Sequence, residues 1–232
     1  MNPADAITTA KEWLSSLTRW LKLLLGLSSK KTGKRQSRSQ QCCRHREDGG
    51  GIAISSGHGA RIPGAVGILD EVREARRVVR RVAGHLREMG VTVHEFHDNE
   101  SETQWRNLDT IIGWHNRQQR CLDVSVHFNA FSPTDGPMGT EALYVSMGAA
   151  GAAARVSKAV AGAGGFRYRG PRVRDDLAFL NRVERPAVLI EVCFVDSATD
   201  AGLYGENFDA ICRAIAEALR ETVGRDNDHG AA

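Results

Sequence analysis

The chain has 232 residues, of which 41% are hydrophobic and 25% are charged, and its formal net charge is +3. These values are typical of a soluble globular protein with one sizeable domain and an appendage. The five cysteines are odd in number and lack CxxC spacing, which argues against a disulfide framework or a structural zinc knuckle and fits synthesis in a reducing compartment.

Most of the positive charge lies near the amino terminus. Residues 1–46 contain ten Lys and Arg against two Asp and Glu, whereas the rest of the chain contains 21 basic and 26 acidic residues. No nucleic-acid fold signature accompanies this charge, so we interpret the segment as a solvated leader and expect no nucleic-acid partner. Contact with anionic lipid or an anionic polymer is the open alternative.

Residues 1–27 are predicted to contain an amphipathic helix. Their most apolar run, residues 13–27, is short for a membrane span and is interrupted by Arg19 and Lys22. Contact with a membrane surface and packing against a partner both fit this run. A cleaved export signal is less favoured because no small-residue cleavage site follows, so we expect synthesis in the cytoplasm without a clear signal peptide.

The rest of the chain divides into three further segments. Residues 28–50 are polar and basic and are predicted to be a flexible linker, residues 51–223 the folded domain, and residues 224–232 a disordered tail. Within the domain, apolar runs alternate with helical periodicity. The predicted strands are residues 51–56, 91–96, 121–126, 139–146, 177–180 and 187–194, and the predicted helices are residues 71–89, 103–120, 149–163 and 208–223.

This alternation predicts an α/β fold of three layers, α/β/α, with a mixed, mostly parallel central sheet of about six strands. Functional sites in such sheets gather at the carboxyl ends of the strands. His58, His127 and Glu191 lie at or near predicted strand ends, and Glu71 begins a predicted helix. Two imidazoles and a carboxylate are the ligand types of an open, hydrolytic zinc site.

Each of these residues also has a plainer explanation. His58 in Gly-His-Gly, taken alone, is more typical of a structural or solvated loop histidine than of a ligand, and the segment lacks either phosphate-loop glycine pattern. An acid in the first turn, such as Glu71, favours the helix dipole, and Asp70 and Glu74 compete for any ligand role. Glu191 is the least ordinary residue, because a carboxylate within an apolar strand needs a partner or a catalytic reason.

Four motifs give the domain a family resemblance. They are "SGHG" after the first strand, "LDEV" opening the first helix, "SVHFNA" after the third predicted strand and "PAVLIEVCFVDS" in the last strand. In this order, residues 51–223 resemble the zinc-dependent N-acetylmuramoyl-L-alanine amidases, the type 3 catalytic domain of phage endolysins and bacterial autolysins. The resemblance implies that His58, Glu71 and His127 bind Zn²⁺ and that Glu191 is the catalytic acid and base.

The resemblance also implies the reaction. The bond cut would join the lactyl group of N-acetylmuramic acid to L-alanine of the stem peptide, with lysis or remodelling of peptidoglycan as the result. The expected partner is therefore a muropeptide, met at the cell wall or periplasm by a monomeric enzyme. A non-catalytic peptidoglycan-binding module of the same fold and a zinc peptidase for other amides are the alternatives. The arginine-rich segment of residues 167–176 is interpreted as a loop that meets peptide carboxylates, or else as a solvated loop.

Several positions depart from the family pattern. Ser55-Ser56 stands where the family usually has Asp-Pro, and Ser55 is expected to support His58 in place of the missing acid. Phe128 is bulkier than the usual alanine. Cys193, expected on the same side of its strand as Glu191, is interpreted as a small core residue. Among the other histidines, His94 and His97 are expected to face opposite sides, and His85 and His115 to be solvated, so none adds a spare ligand.

Overall fold

The computed structural model describes residues 50–228, which form a six-stranded sheet between two layers of helices. The strands are β1 (Gly51–Ser56), β2 (Val93–Phe96), β3 (Arg120–Asn129), β4 (Thr140–Tyr144), β5 (Tyr168–Val173) and β6 (Ala187–Phe194). The helices are α1 (Glu71–Glu88), α2 (Gln104–Arg117), α3 (Met147–Gly164), α4 (Ala178–Arg182) and α5 (Ala198–Asp228).

The sheet has the order β2-β1-β3-β6-β4-β5. All its strand pairs are parallel except the antiparallel pair of β4 and β6. The prediction of a mixed, mostly parallel α/β sheet is therefore confirmed. Strands β1 and β6 are buried along their whole length, as expected for parallel strands covered on both faces.

Two apolar clusters fill the space on either side of the sheet. The larger joins α1, α3 and α5 to one face, through residues such as Val78, Val156 and Ile215. The smaller joins α2 and α4 to the opposite face, through Ile111, Phe179 and Leu189. This arrangement explains why alternate residues of the central strands belong to different cores.

Helix α1 has both ends defined by its sequence. Asp70 caps its start, since its side chain accepts a hydrogen bond of 2.9 Å from the backbone nitrogen of Arg73. Beyond its last turn, Gly90 has a φ of 77°, a left-handed conformation that glycine adopts without steric cost. The capped start matters for the site because Glu71 is the first residue of this helix.

The structure differs from the predicted secondary structure in three segments. Residues 177–180, predicted as a strand, form the N-cap and first three residues of the short helix α4, because an apolar run of four residues does not distinguish strand from helix. The arginine-rich segment predicted as a loop contains strand β5, whose Gly170-Pro171 pair is tolerated at a sheet edge. Helix α5 contains an additional helix that begins at Ala198, and non-helical backbone angles at Asn207 separate it from the predicted helix of residues 208–223.

Two histidines expected in solvent are instead buried. His85 contacts Glu88 and Asp209, each at 3.2 Å. His115 contacts Asp123 at 2.8 Å and Ser55 at 2.9 Å. Polar partners on neighbouring elements allow an imidazole to be buried, and a helical periodicity alone does not reveal them.

The segments predicted for residues 1–27 and 28–49 lie outside the described residues, as do residues 229–232. The boundary predicted at residue 223 falls within α5, which continues to Asp228. Within residues 50–228, no helix combines the length and the apolar character that crossing a membrane requires.

Candidate metal centre

Three side chains from separate elements meet at the carboxyl end of the sheet. His58 lies in the loop after β1, Glu71 is the first residue of α1, and His127 lies in β3. One donor atom from each residue can be chosen so that all of them lie within 4.8 Å of one another. The structure thus brings together the three residues proposed as ligands from the sequence.

Glu71 lies at the centre of this group. Its Oε1 atom is 3.4 Å from His58 Nε2 and 3.0 Å from His127 Nδ1. The two imidazole rings have centroids 5.2 Å apart and planes inclined at 75°. Two nitrogens and a carboxylate oxygen therefore face one another, and this donor set fits Zn²⁺ with a coordination position left for water.

Backbone donors fix the Glu71 carboxylate. The Ala65 nitrogen donates to Oε2 at 2.7 Å, and the Phe128 nitrogen donates to Oε1 at 3.1 Å. Burial by itself would raise the pKa of Glu71, but His58 and His127 hold that pKa far below its ordinary value. The side chain is therefore an anion, which is the form that binds a metal.

The two histidines respond differently to the same surroundings. Burial lowers the pKa of His127, and the contact with Glu71 offsets this only in part. For His58, burial also acts to lower the pKa, but Glu71 outweighs it and the pKa is raised. A metal ligand must be a neutral imidazole, so His127 is the better prepared of the two.

Glycines make room for this packing. A Cβ atom at Gly57 would overlap the His127 ring, and one at Gly64 would lie 2.7 Å from Glu71 Oε2. At both positions the backbone therefore approaches a candidate ligand side chain more closely than another residue allows.

Glu191 lies beside this group. It pairs in register with His127 across β3 and β6, so the two side chains project from the same face of the sheet. Only 8% of Glu191 is exposed, and its Oε2 atom has no hydrogen-bond partner among the described residues. Burial, with added repulsion from Glu71 and Glu141, raises its pKa well above the ordinary value. A group that exchanges protons near neutral pH needs a pKa raised in this direction.

The family follows from comparison with known proteins. The profile of the N-acetylmuramoyl-L-alanine amidase family, Amidase_3, matches residues 52–221, which is well over half of the chain. The chain belongs to the N-acetylmuramoyl-L-alanine amidase family. The predicted family and the enzyme class that it implies are thereby confirmed.

Two curated proteins are similar to the chain in sequence. An uncharacterised protein of Clostridium perfringens is 30% identical over 182 residues, which cover 76% of this chain and 53% of that protein. A second C. perfringens protein is 29% identical, with 52% of its length covered. The chain thus spans about half the length of the curated relatives it matches.

Solved structures share the fold. The catalytic domain of the CD27L endolysin, which targets Clostridia difficile, superposes with a TM-score of 0.68 at 23% identity, covering 74% of this chain and 97% of that one. The catalytic domain of the amidase CwlV from Bacillus (Paenibacillus) polymyxa gives 0.66 at 24% identity, covering 75% and 98%. At such identities the likeness establishes the architecture.

Asp70 and Glu74, the acids that competed for a ligand role in this amidase-family chain, are engaged elsewhere. Asp70 caps α1, as described above. Glu74 accepts hydrogen bonds from Arg73, from Arg77 and from the hydroxyl of Tyr204, the last at 2.9 Å. Glu71 is therefore the one acid of this turn that faces the histidines.

The serines at the usual Asp-Pro position have different partners from the expected one. Ser55 Oγ lies 2.9 Å from His115 Nε2, while His115 Nδ1 lies 2.8 Å from Asp123. Ser55 therefore supports a buried polar chain beneath α2. Ser56 comes closer to giving the support that was expected of Ser55, since its Oγ donates to the backbone oxygen of His58 at 3.4 Å.

The sequence analysis did not identify residues 97–98, which hydrogen-bond to the loop that carries His58. The Ala60 nitrogen donates to the Asp98 backbone oxygen at 2.8 Å, and Ser56 Oγ lies 3.1 Å from His97 Nδ1. The Asp98 side chain in turn accepts from the Ser101 nitrogen at 3.1 Å and from Asn107 at 2.9 Å. The available signal was "HDN" directly after a predicted strand, at the same edge of the sheet as His58.

Cys193 is a core residue, as expected, but it does not keep the side predicted for it. The register of β3 with β6 shifts beyond the His127–Glu191 pair. Cys193 consequently joins the larger core cluster together with Val192. Burial raises the pKa of its thiol well above the ordinary value, so it is a poor nucleophile or ligand.

Proposed function

We propose that the chain is a zinc-dependent hydrolase of the amide bond between N-acetylmuramic acid and L-alanine in peptidoglycan. The observation that carries this proposal is the convergence of His58, Glu71 and His127 beside the buried Glu191. Family membership supports the peptidoglycan amidase activity. The metal, the bond and the residue roles are our inference from the site.

His58, Glu71 and His127 would hold the ion. A zinc ion bound there supplies Lewis acidity, which polarises an amide carbonyl and makes a water more acidic. The Ala65 and Phe128 backbone nitrogens keep the Glu71 carboxylate oriented toward both imidazoles. The ligand geometry is thereby prepared before binding, which lowers the cost of ordering the site.

Glu191 would carry the proton. Its partnerless Oε2 takes a proton from the attacking water and then returns it to the departing amine. Its raised pKa suits both halves of this exchange, because the ideal pKa of a general acid and base lies near the working pH. Such help is typically worth about 10² to 10⁴-fold in rate.

The test is an assay of purified peptidoglycan with and without chelator, together with the metal content per chain. We expect release of stem peptides that begin with free L-alanine, abolished by chelator and restored by Zn²⁺. A fully zinc-loaded chain that releases nothing would contradict the proposal and favour a non-catalytic binding module. Cleavage at other amides would favour a zinc peptidase.

Two variants separate the proposed roles. Glu191→Gln keeps the shape of the side chain but removes the proton acceptor, so we expect normal zinc content and a loss of turnover of at least about 100-fold. His127→Ala removes a ligand, and we expect loss of both zinc and turnover. An active Glu191→Gln variant would show that another group moves the proton.

Where and how the enzyme acts is also a proposal. We expect a monomer that reaches its substrate at the cell wall or periplasm, and we expect any membrane contact to come from residues 13–27. Light scattering of the full chain tests the monomer. Flotation of the full chain with anionic vesicles, compared with a chain that lacks residues 1–27, tests the membrane contact.

A further inference from the structure

The side chains of His127 and Glu191 are the first two of a line that continues toward the edge of the sheet. His127 pairs in register with Glu191, and Glu191 pairs in register with Glu141 across β6 and β4. Neighbouring strands lie about 4.8 Å apart, so the three side chains form a line on the face covered by α2 and α4. Glu141 is the last acid of this line before the edge strand β5.

Two arginines of β5 meet at Glu141. Its Oε2 atom is 2.9 Å from Arg169 Nε and 2.8 Å from Arg172 Nε. Residues three apart on a regular strand face opposite sides. Here Gly170 has a φ of 82°, and the register shifts between Thr140 and Glu141. This irregularity brings both guanidinium groups to one carboxylate.

The two arginines differ in how firmly they are held. Arg169 also lies over the Phe194 ring, 5.0 Å from its centroid, and donates to the Met138 backbone oxygen at 3.4 Å. Arg172 has Glu141 as its one ion-pair partner within residues 50–228, and its side chain is 53% exposed. Arg169 therefore fixes Glu141, while Arg172 faces solvent beside the row.

The charges in this corner do not cancel. Glu141 is the carboxylate that pairs with both Arg169 and Arg172. The next arginine, Arg174, pairs with Asp176 through two hydrogen bonds of 2.8 and 2.9 Å. Arg174 is close enough to Glu191 and Glu141 to interact electrostatically with both. Apart from Glu191, these side chains comprise three arginines, Arg169, Arg172 and Arg174, against two carboxylates, Glu141 and Asp176.

We propose that Arg172, positioned by Glu141 and flanked by Arg174, binds a free carboxylate of the stem peptide. This inference rests on the proposed function, and it names the substrate class, an acidic peptide, and the group that selects it. A guanidinium fork matches a carboxylate in shape and charge. The contact lies beside the line of His127, Glu191 and Glu141 and not at the bond that breaks. It therefore contributes to substrate affinity more than to the chemical step.

The experiment compares two synthetic N-acetylmuramoyl tripeptides, both amidated at the C-terminus, whose second residue carries either a free carboxylate or a carboxamide. With the zinc-loaded full chain, we expect the acidic substrate to have a KM about three to ten times lower, as for a partly exposed charged hydrogen bond. Arg172→Gln should remove this preference with little change in kcat, and Arg172→Lys should restore part of it.

Two further variants make the assignment specific. Arg87→Gln is the matched control, because Arg87 on α1 is 51% exposed and is likewise paired with one glutamate, Glu95. It should leave the preference intact. Gly170→Ala disfavours the left-handed backbone that brings Arg169 and Arg172 together, and it should reduce the preference without removing either charge.

Binding of the matching tripeptides without the muramoyl group, measured by calorimetry, separates this inference from the amidase proposal. Preferential binding of the acidic peptide that is lost in Arg172→Gln supports the carboxylate contact even without turnover. Equal binding of both peptides by the unmodified chain overturns it, and so does a preference that survives in Arg172→Gln. Turnover without any preference overturns this inference alone.

Discussion

At the scale of single residues, Glu71 connects the parts of the candidate metal centre. Its carboxylate contacts both imidazoles and accepts from two backbone nitrogens, one before α1 and one in β3. A residue that only favoured the helix dipole would point to the first turn of its own helix. The contacts of Glu71 with β3 therefore favour the proposed ligand role over that of a helix-start acid.

Gly57 gives the sharpest residue-scale prediction. In Gly57→Ala the new Cβ would overlap the His127 ring, so the ring must leave its position. We expect the zinc content per chain to fall severely, as measured by metal analysis of the purified variant. Gly162→Ala is the matched control, since nothing lies within 4 Å of its Cβ. It should keep zinc and gain about 0.5–1 kcal/mol of stability, because alanine favours a helix interior.

At the scale of elements, the buried contact between α1 and α5 depends on Glu74 and Tyr204. The Tyr204 hydroxyl donates to Glu74 at 2.9 Å within the core. Tyr204→Phe keeps the ring but removes this donor. We expect the free energy of unfolding, measured in urea, to fall by about 1 kcal/mol. Tyr168→Phe, at a side chain that is 51% exposed, should change it by less than about 0.5 kcal/mol.

The junction of β2 with the His58 loop predicts a pH dependence. Burial, with repulsion from Arg76 and Arg80, lowers the pKa of His97 from 6.5 to about 4. Between these values the unfolded chain binds a proton that the folded chain does not. His97 therefore contributes its full stability above pH 6.5, and this contribution is lost progressively as the pH falls toward 4.

Urea unfolding at pH 7.5, 6 and 5 measures this dependence. Chelator should be present throughout, so that metal loss does not contribute. Stability should decrease across the series in the unmodified chain and decrease less in His97→Asn. The same slope in both chains would mean that other groups cause the acid sensitivity.

At the scale of the whole molecule, the metal should stabilise the fold. The proposed ligands come from a loop, a helix start and a strand that are apart in sequence, so the unfolded chain offers no comparable site. A ligand that binds only the folded state adds about 2.7 kcal/mol when present at 100 times its dissociation constant. Added Zn²⁺ should raise the melting temperature of the full chain and leave that of His127→Ala unchanged.

Sequence patterns predicted the features of the fold that rest on local periodicity. The alternation of apolar strands with amphipathic helices sufficed for the α/β class, and the order of four motifs sufficed for the family. Strand β5 escaped because its Gly170-Pro171 pair resembles a turn, while pairing with β4 outweighs that local signal. Buried His115 escaped because its partner Ser55 is 60 residues away in the chain, and helical periodicity contains no information about such a neighbour.

The close packing of Gly57 against His127 has a consequence for the order of folding events. The His58 loop and His127 are brought together by the pairing of β1 with β3, which joins residues about 70 positions apart. Contacts of such long range slow folding, because the entropy of closing the intervening loop must be overcome before the contacts stabilise the chain. We expect zinc binding to need the completed side-chain geometry of the site and therefore to follow the folding transition state. It should consequently prolong the lifetime of the folded chain and leave the rate of folding almost unchanged.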